Sequence, residues 1–356
     1  MAKIKYQLLA EGVSEGIFPG AVALIGNAQQ IIDHQAQGLR MTEPQKRPMQ
    51  LDTIFDLASL TKPIVVGTLS MQLAEQGQLD LSASVRTYLP EIQHQQIRLL
   101  DLLTHTSGYP AWCALYPQAD DTVCGSTHTP AQVVEYLGNM PLDYETGSKV
   151  VYSCLGYILM GKLIERVTAQ PLAQLAQVQI FQPLGMNDTC YNPPLDWQSR
   201  CAATETLGNA QIRRGESFQR QDWWHQVLVG TVHDENAHYL GGISGNAGLF
   251  STAKDLGLYC QAILKENPEI LSADSTAEMA KLRTAGLNAN RSIGWVVLKD
   301  EALYHNGFTG TALRLDLERQ EYQILLTNRV HLVAKKSRFE LRPIVHDHVI
   351  DAFLSG

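Results

Sequence analysis

Phe55-Asp-Leu-Ala-Ser-Leu-Thr-Lys62 places a hydroxyl and an amine three residues apart at the head of an apolar segment. Ile64, Val65, Thr68, Leu69, Met71 and Leu73 then recur at helical spacing until Gly77, so the pattern predicts a helix over Asp56 to Gln78. Residues three apart share a helix face, which brings Ser59 and Lys62 within reach of each other. A serine hydroxyl is a poor nucleophile until a base removes its proton. A lysine does that at neutral pH only where burial or nearby positive charge lowers its pKa. Ile54-Phe55 and Ile64-Val65-Val66 offer the apolar setting. The start of the helix also aims backbone N–H groups at a developing oxyanion.

Spacing alone does not decide the matter, because Ser251-Thr-Ala-Lys254 repeats it. There Thr252 and Asp255 resemble a capping arrangement that opens a helix over Ala253–Leu264, which assigns Ser251 to structure.

Outward from Phe55 toward the N-terminus, a short helix precedes Gly20–Gly26 and Gln30–Ala36, two runs separated at Asn27-Ala28 and readable as a β-hairpin. Downstream, Ile97–Leu103, Ala131–Leu137 and Tyr157–Val167 read as helices between Pro-, Gly- and Asp-rich loops. Strands return at Trp295–Leu298, Gly310–Leu317 and Tyr322–Thr327, with a turn at Glu318-Arg-Gln320, before a closing helix over Leu341–Phe353. Strands at both ends of a helical middle imply one sheet assembled from remote parts of the chain. The expected division is residues 1–56 with 225–356 as the sheet domain, residues 57–224 as a mostly helical lobe, and the active site between them.

The formal charge of -8, with scattered Lys and Arg, gives no electrostatic footprint for nucleic acid. No apolar run is long enough to span a bilayer, and Met1 to Tyr6 lack a cationic start followed by an apolar stretch. The reading is therefore cytoplasmic as given, or periplasmic or secreted if a leader was removed. Six irregularly spaced cysteines are read as reduced thiols, with Cys113 and Cys124, in one polar loop, the only candidates for pairing. There is no G-x-S-x-G, H-E-x-x-H, Walker loop or G-x-G-x-x-G, so no cofactor is implied. His233-Asp-Glu235 lacks metal-ligand spacing, and no metal is expected. His346-Asp-His348 reads as a solvated helix face.

Four stretches in order carry a specific resemblance: Phe55–Lys62, Leu102-Leu-Thr-His-Thr-Ser-Gly108, Tyr152-Ser-Cys154 and His305-Asn-Gly-Phe-Thr-Gly310. They resemble the motifs of class C β-lactamases, low-molecular-weight penicillin-binding proteins and related carboxylesterases, across nearly the whole chain. Val232–Ala237 and Gly241–Thr252 look like a penicillin-binding-protein-like subgroup linked to cell-wall peptide turnover. The resemblance implies an α/β (α+β) fold of the β-lactamase/transpeptidase type, an antiparallel sheet flanked by helices plus a mostly helical lobe.

It also implies roles. Ser59 is the nucleophile, and Lys62 and Tyr152 form its proton shuttle. The backbone N–H groups of Ser59 and Phe308 form an oxyanion hole on an edge strand, and Cys154, His305, Asn306 and Gly307 touch substrate. Gly307 lets the strand approach the substrate closely. His305 stands where many relatives carry lysine. It offers a hydrogen bond to a substrate carboxylate while largely neutral at pH 7. Cys154 stands where Asn or Asp is usual, and a thiol is a weak partner for an amide or for Lys62, which shifts the expectation toward esters. His105 is expected to organise its turn by hydrogen bonds. The implied function is a serine acyl-transfer hydrolase acting on cell-wall-derived peptides, muropeptides or small esters. The alternatives are a β-lactamase, or a catalytically impaired relative that binds peptidoglycan fragments. The implied partner is a small-molecule or peptide substrate, and no motif speaks to oligomeric state.

Overall fold

The computed structural model describes residues 2–116, 129–205, 227–332 and 342–354. Seven strands form one antiparallel sheet in the order β3-β2-β1-β10-β9-β8-β7. They are β1 (Gly20–Asn27), β2 (Ile31–Met41), β3 (Arg47–Pro48), β7 (Val296–Val297), β8 (Leu303–Gly307), β9 (Thr311–Asp316) and β10 (Glu321–Thr327). β1 lies at the junction, paired with β10 from Ala21↔Thr327 to Asn27↔Glu321, so the two ends of the chain do share a sheet.

Side chains alternate across a strand, and here both faces are covered. Val22, Leu24, Leu313, Leu315, Ile324 and Leu326 join the main core, against which the helix Ala253–Leu264 packs. Ala21, Ala23, Ala312 and Leu325 face the other way, onto Leu9 of the first helix and Ile350 and Phe353 of the last. Each fully buried Leu or Ile contributes about 1.5–3 kcal/mol of transfer free energy.

A second, three-stranded sheet has the order β4-β6-β5, with β4 at Phe55–Asp56, β5 at Cys190–Tyr191 and β6 at Leu249–Ser251. The first two residues of the Phe55–Lys62 stretch are therefore strand. The structure corrects the single helix expected from Asp56. After β4 comes a 3-10 turn at Ala58–Leu60, a π-helical segment at Lys62–Gly67 and then the α-helix Thr68–Glu75. Pairing of Asp56 with Phe250 takes it into the sheet. Its carboxylate also accepts the Ala58 N–H, which ends the strand in a turn.

The middle helices fall at Leu99–Leu103, Val133–Asn139 and Cys154–Thr168. Among the described residues, no helix is long and apolar enough to cross a membrane. Cys124 and the side chains of His346 and Asp347 lie outside the described residues, while His348 is exposed.

Candidate active site

Ser59 enters the site from the turn between β4 and the π-helical segment. The preceding residue, Ala58, has φ +47°, a left-handed conformation that a side chain disfavours and that tends to cluster at functional sites. Lys62 is completely buried, and its Nζ donates to Ser59 Oγ at 3.0 Å, Asn246 O at 2.8 Å and Cys154 Sγ at 3.7 Å. An ammonium has three protons, and here each meets an acceptor. Burial works against the Lys62 cation, while coupling to Cys154, Tyr152 and Asp234 favours it, and its pKa is moved upward. The lowered pKa expected for Lys62 is opposed by these neighbours, and its amine lies within hydrogen-bond reach of Ser59 Oγ.

Tyr152 and Cys154 sit at the start of the helix Cys154–Thr168, whose N-cap Ser153 accepts from Gly156 N and donates to Pro110 O. Lys62 Nζ lies 4.9 Å from the Tyr152 ring centre. Burial pushes the Tyr152 phenol and the Cys154 thiol up, and Lys62 pulls both back. His105 behaves as expected. Its Nδ1 accepts from Ser153 N at 3.0 Å, its carbonyl accepts from Val151 N, and its ring lies 4.5 Å from that of Tyr152. Burial, with Arg291 and Lys62 nearby, holds its pKa well below the usual imidazole range.

The His305 stretch is β8 followed by a turn. β8 is next to the edge rather than at it, but β7 pairs only with Leu303 and Tyr304, so among the described residues His305, Asn306 and Gly307 have no partner strand on that side. Phe308 lies one residue beyond β8, its side chain half exposed. A Cβ on Gly307 would collide with Thr311 Oγ1 and Leu57 O and stand 3.3 Å from Ala58 Cβ. The close approach that needs glycine is therefore both to β9 and to the nucleophile turn.

His305 is buried, and its Nδ1 is 2.8 Å from Asn306 O, which fixes the proton on Nδ1 and leaves Nε2 as an acceptor with no partner among the described residues. Burial, Lys62 and Arg291 keep it neutral, with a pKa well below the ordinary value. With Nε2 unprotonated, His305 as placed does not make the expected donation to a carboxylate, and Nε2 itself is buried.

A cavity of about 330 Å³ brings Ser59, Tyr152, His305, Asn306, Gly307 and Phe308 together with Arg291, Arg329 and Ile350. Sequence reasoning missed Arg291. Its guanidinium lies 5.5 Å over the Tyr152 ring, and its Nε is buried with no hydrogen-bond partner among the described groups. A lone arginine in a loop carries no motif. Asn246 was also missed as an individual, although its stretch was noted. Its carbonyl accepts from Lys62, and its amide nitrogen donates to Asp234 Oδ1 at 3.1 Å. Asp234 caps the short helix Glu235–Tyr239 rather than lining the cavity.

Ser59 lines a cavity and is hydrogen-bonded to the buried Lys62, an arrangement that fits a serine hydrolase. A family model described as Beta-lactamase matches residues 7–345, and the chain belongs to that family. It is 32% identical to an N-acetylmuramyl-L-alanine amidase of Bacillus subtilis (strain 168) over 360 residues, covering 91% of this chain and 80% of the relative. Among solved structures, EstCE1, a hydrolase with promiscuous acyltransferase activity, superposes with a TM-score of 0.73 at 22% identity, covering 98% of both chains. A D-amino acid amidase from Ochrobactrum anthropi SV3 gives 0.73 at 21% identity, covering 99% of this chain and 97% of that one. At these identities the solved structures speak to the fold.

Proposed function

We propose that this hydrolase cleaves cell-wall-derived muropeptides or peptides through an acyl-enzyme at Ser59, and that it selects substrates carrying a carboxylate. The observation that carries the reading is the fully buried Lys62, hydrogen-bonded to Ser59 Oγ beside a cavity that also holds Arg291. Tyr152 takes the serine proton while the Lys62 ammonium stabilises the phenolate that forms. The N–H groups of Ser59 and Phe308 receive the oxyanion. Contact between Gly307 and the Leu57-Ala58 backbone supports this, since it holds the two donor segments together. His305 lines the cavity beside Asn306 and Gly307, which offer backbone to the substrate along the strand. Arg291 receives the carboxylate, for which a planar fork of donors is suited. The amidase relative supports an amide as the scissile bond.

A second reading, a small-ester hydrolase, is favoured by Cys154. Its thiol sits 3.7 Å from Lys62 and is a weak partner for a substrate amide.

The test is intact-mass measurement after p-nitrophenyl acetate or a fluorophosphonate, with Ser59→Ala as the blank. It is followed by a screen of muropeptides, D-Ala-D-Ala peptides, p-nitrophenyl esters and nitrocefin. Adduct on Ser59 with turnover of carboxylate-bearing amides supports the proposal, and Arg291→Ala should then raise KM for those substrates more than for p-nitrophenyl acetate. Absence of any adduct on the wild type sinks it.

A further inference from the structure

We infer that Asp56 is a positioning residue that locks together the two backbone segments between which the substrate's acyl oxygen sits, Ala58-Ser59 on one side and Phe308-Thr309 on the other. The inference rests on the acylation of Ser59 proposed above. Asp56 is buried in β4, and three of its oxygens are used. Oδ1 accepts from Ala58 N at 2.8 Å, Oδ2 accepts from His233 N at 2.7 Å, and the main-chain oxygen accepts from Thr309 Oγ1 at 2.7 Å.

Each bond fixes something at the reacting centre. Ala58 is a non-glycine residue at φ +47°, a conformation that persists only where its surroundings hold it. The Oδ1 bond to its N–H does so, and the Ala58 dihedrals set the direction of the next N–H, that of Ser59. On the other side, Thr309 ties the turn after β8 to Asp56, and Thr311 Oγ1 donates to Leu57 O at 3.0 Å. That anchors the residues flanking Phe308. His233, held by Oδ2, carries its ring 5.6 Å from the Phe308 ring and pairs through Nε2 with the buried Glu205 at 3.1 Å. One aspartate is thereby fastened to both walls.

Only a carboxylate fits this duty fully. Two N–H donors point at its two side-chain oxygens, so an asparagine would turn its own N–H₂ against one of them. The charged groups facing Asp56 are His233, from which it gains, and Asp234, which opposes it. The Cys201 thiol lies near, and Glu205 lies beyond His233. Burial raises the Asp56 carboxyl to about 6, so the second acceptor is lost as pH falls through that value.

The test compares acylation by p-nitrophenyl acetate from pH 5 to 8 in the full-length wild type, Asp56→Asn and Thr309→Val, with thermal melts of each. Loss of an oriented oxyanion donor costs about 100-fold in rate. Asp56→Asn is therefore expected to acylate about 100-fold more slowly, with KM within about twofold, and without the rise in rate near pH 6 expected of the wild type. Thr309→Val is expected about tenfold slower, with that rise retained. Asp56→Asn acylating within threefold of wild type, or slowed through KM alone, overturns the inference while leaving acylation of Ser59 intact. If Asp56→Asn fails to fold, Thr309→Val at the wild-type rate, together with a flat wild-type profile near pH 6, overturns it instead. A wild type that takes no acyl group removes both readings.

Discussion

The two Ser-x-x-Lys stretches lie side by side in the small sheet, Phe55 paired with Ser251, and they have opposite fates. At the first, a 3-10 turn followed by a π-helical segment turns Lys62 inward, and its amine reaches Ser59 Oγ. At the second, a strand runs straight into an α-helix. Ser251 is buried and bonds Thr189 Oγ1 at 2.7 Å, Thr252 caps the helix by accepting from Asp255 N, and Lys254 is exposed to solvent. The same spacing yields a hydrogen-bonded hydroxyl–amine pair in one place and a helix start in the other. What separates them is the path of the backbone after the serine and the presence of acceptors that hold a buried ammonium.

The comparison breaks most sharply by removing the serines. Ser59→Ala should lower hydrolysis by about 10⁴-fold or more and abolish the covalent adduct, whereas Ser251→Ala should acylate normally and lose about 1 kcal/mol of stability with its hydrogen bond. Intact mass and thermal melts read both. Next come the lysines. Lys62→Ala should slow acylation about 10³-fold, the scale of positioned proton transfer, and Lys254→Ala should leave the rate unchanged and stability within about 0.5 kcal/mol.

A smaller effect concerns pH. Burial raises the Asp56 carboxyl from 3.8 to about 6 in the folded chain, so the native state holds this proton more tightly than the unfolded chain does. The resulting stability is fully present below about pH 4 and lost as pH rises through about 6, an upper figure of roughly 3 kcal/mol. Melting temperature measured from pH 4 to 8 should fall across that window in the wild type and stay flatter in Asp56→Asn. Cys154→Asn, which offers Lys62 and a substrate amide a stronger partner, should raise the ratio of amide to ester hydrolysis about tenfold, worth 1.4 kcal/mol. Smallest of all, Thr252→Ala should cost about 1 kcal/mol through its lost cap and leave kcat/KM alone.

Much of this was legible in the chain. The helix Ala253–Leu264 with its Thr252 cap, the first hairpin, the sheet shared between the two ends and the turn around His105 all rest on short-range signals, and the structure has them. Of the positions proposed for chemistry, Ser59, Tyr152 and His305 to Phe308 line one cavity, while Lys62 and Cys154 are not among its lining residues. The segment after Asp56 misled, because apolar spacing does not distinguish α- from π-helical winding and says nothing of the carboxylate that ends β4. His305 misled because a histidine's tautomer depends on its neighbour, here its own chain's Asn306 carbonyl. Arg291 left no trace, since what marks it is its place in the cavity beside Tyr152, and no sequence spacing encodes that.

The sequence by itself determined which residue types stood at which intervals, and so the family, the sheet and the candidate nucleophile, because periodicity, caps and motif order are properties of neighbours along the chain. Only the tertiary structure decided which of two identical spacings becomes a hydrogen-bonded hydroxyl–amine pair, that Asn246 and Cys154 reach Lys62, and that Arg291 lines the same cavity as Ser59. Protonation and reach depend on burial and on partners brought from distant parts of the chain, here Asn246 and Cys154 to Lys62, and those exist only once the chain has folded.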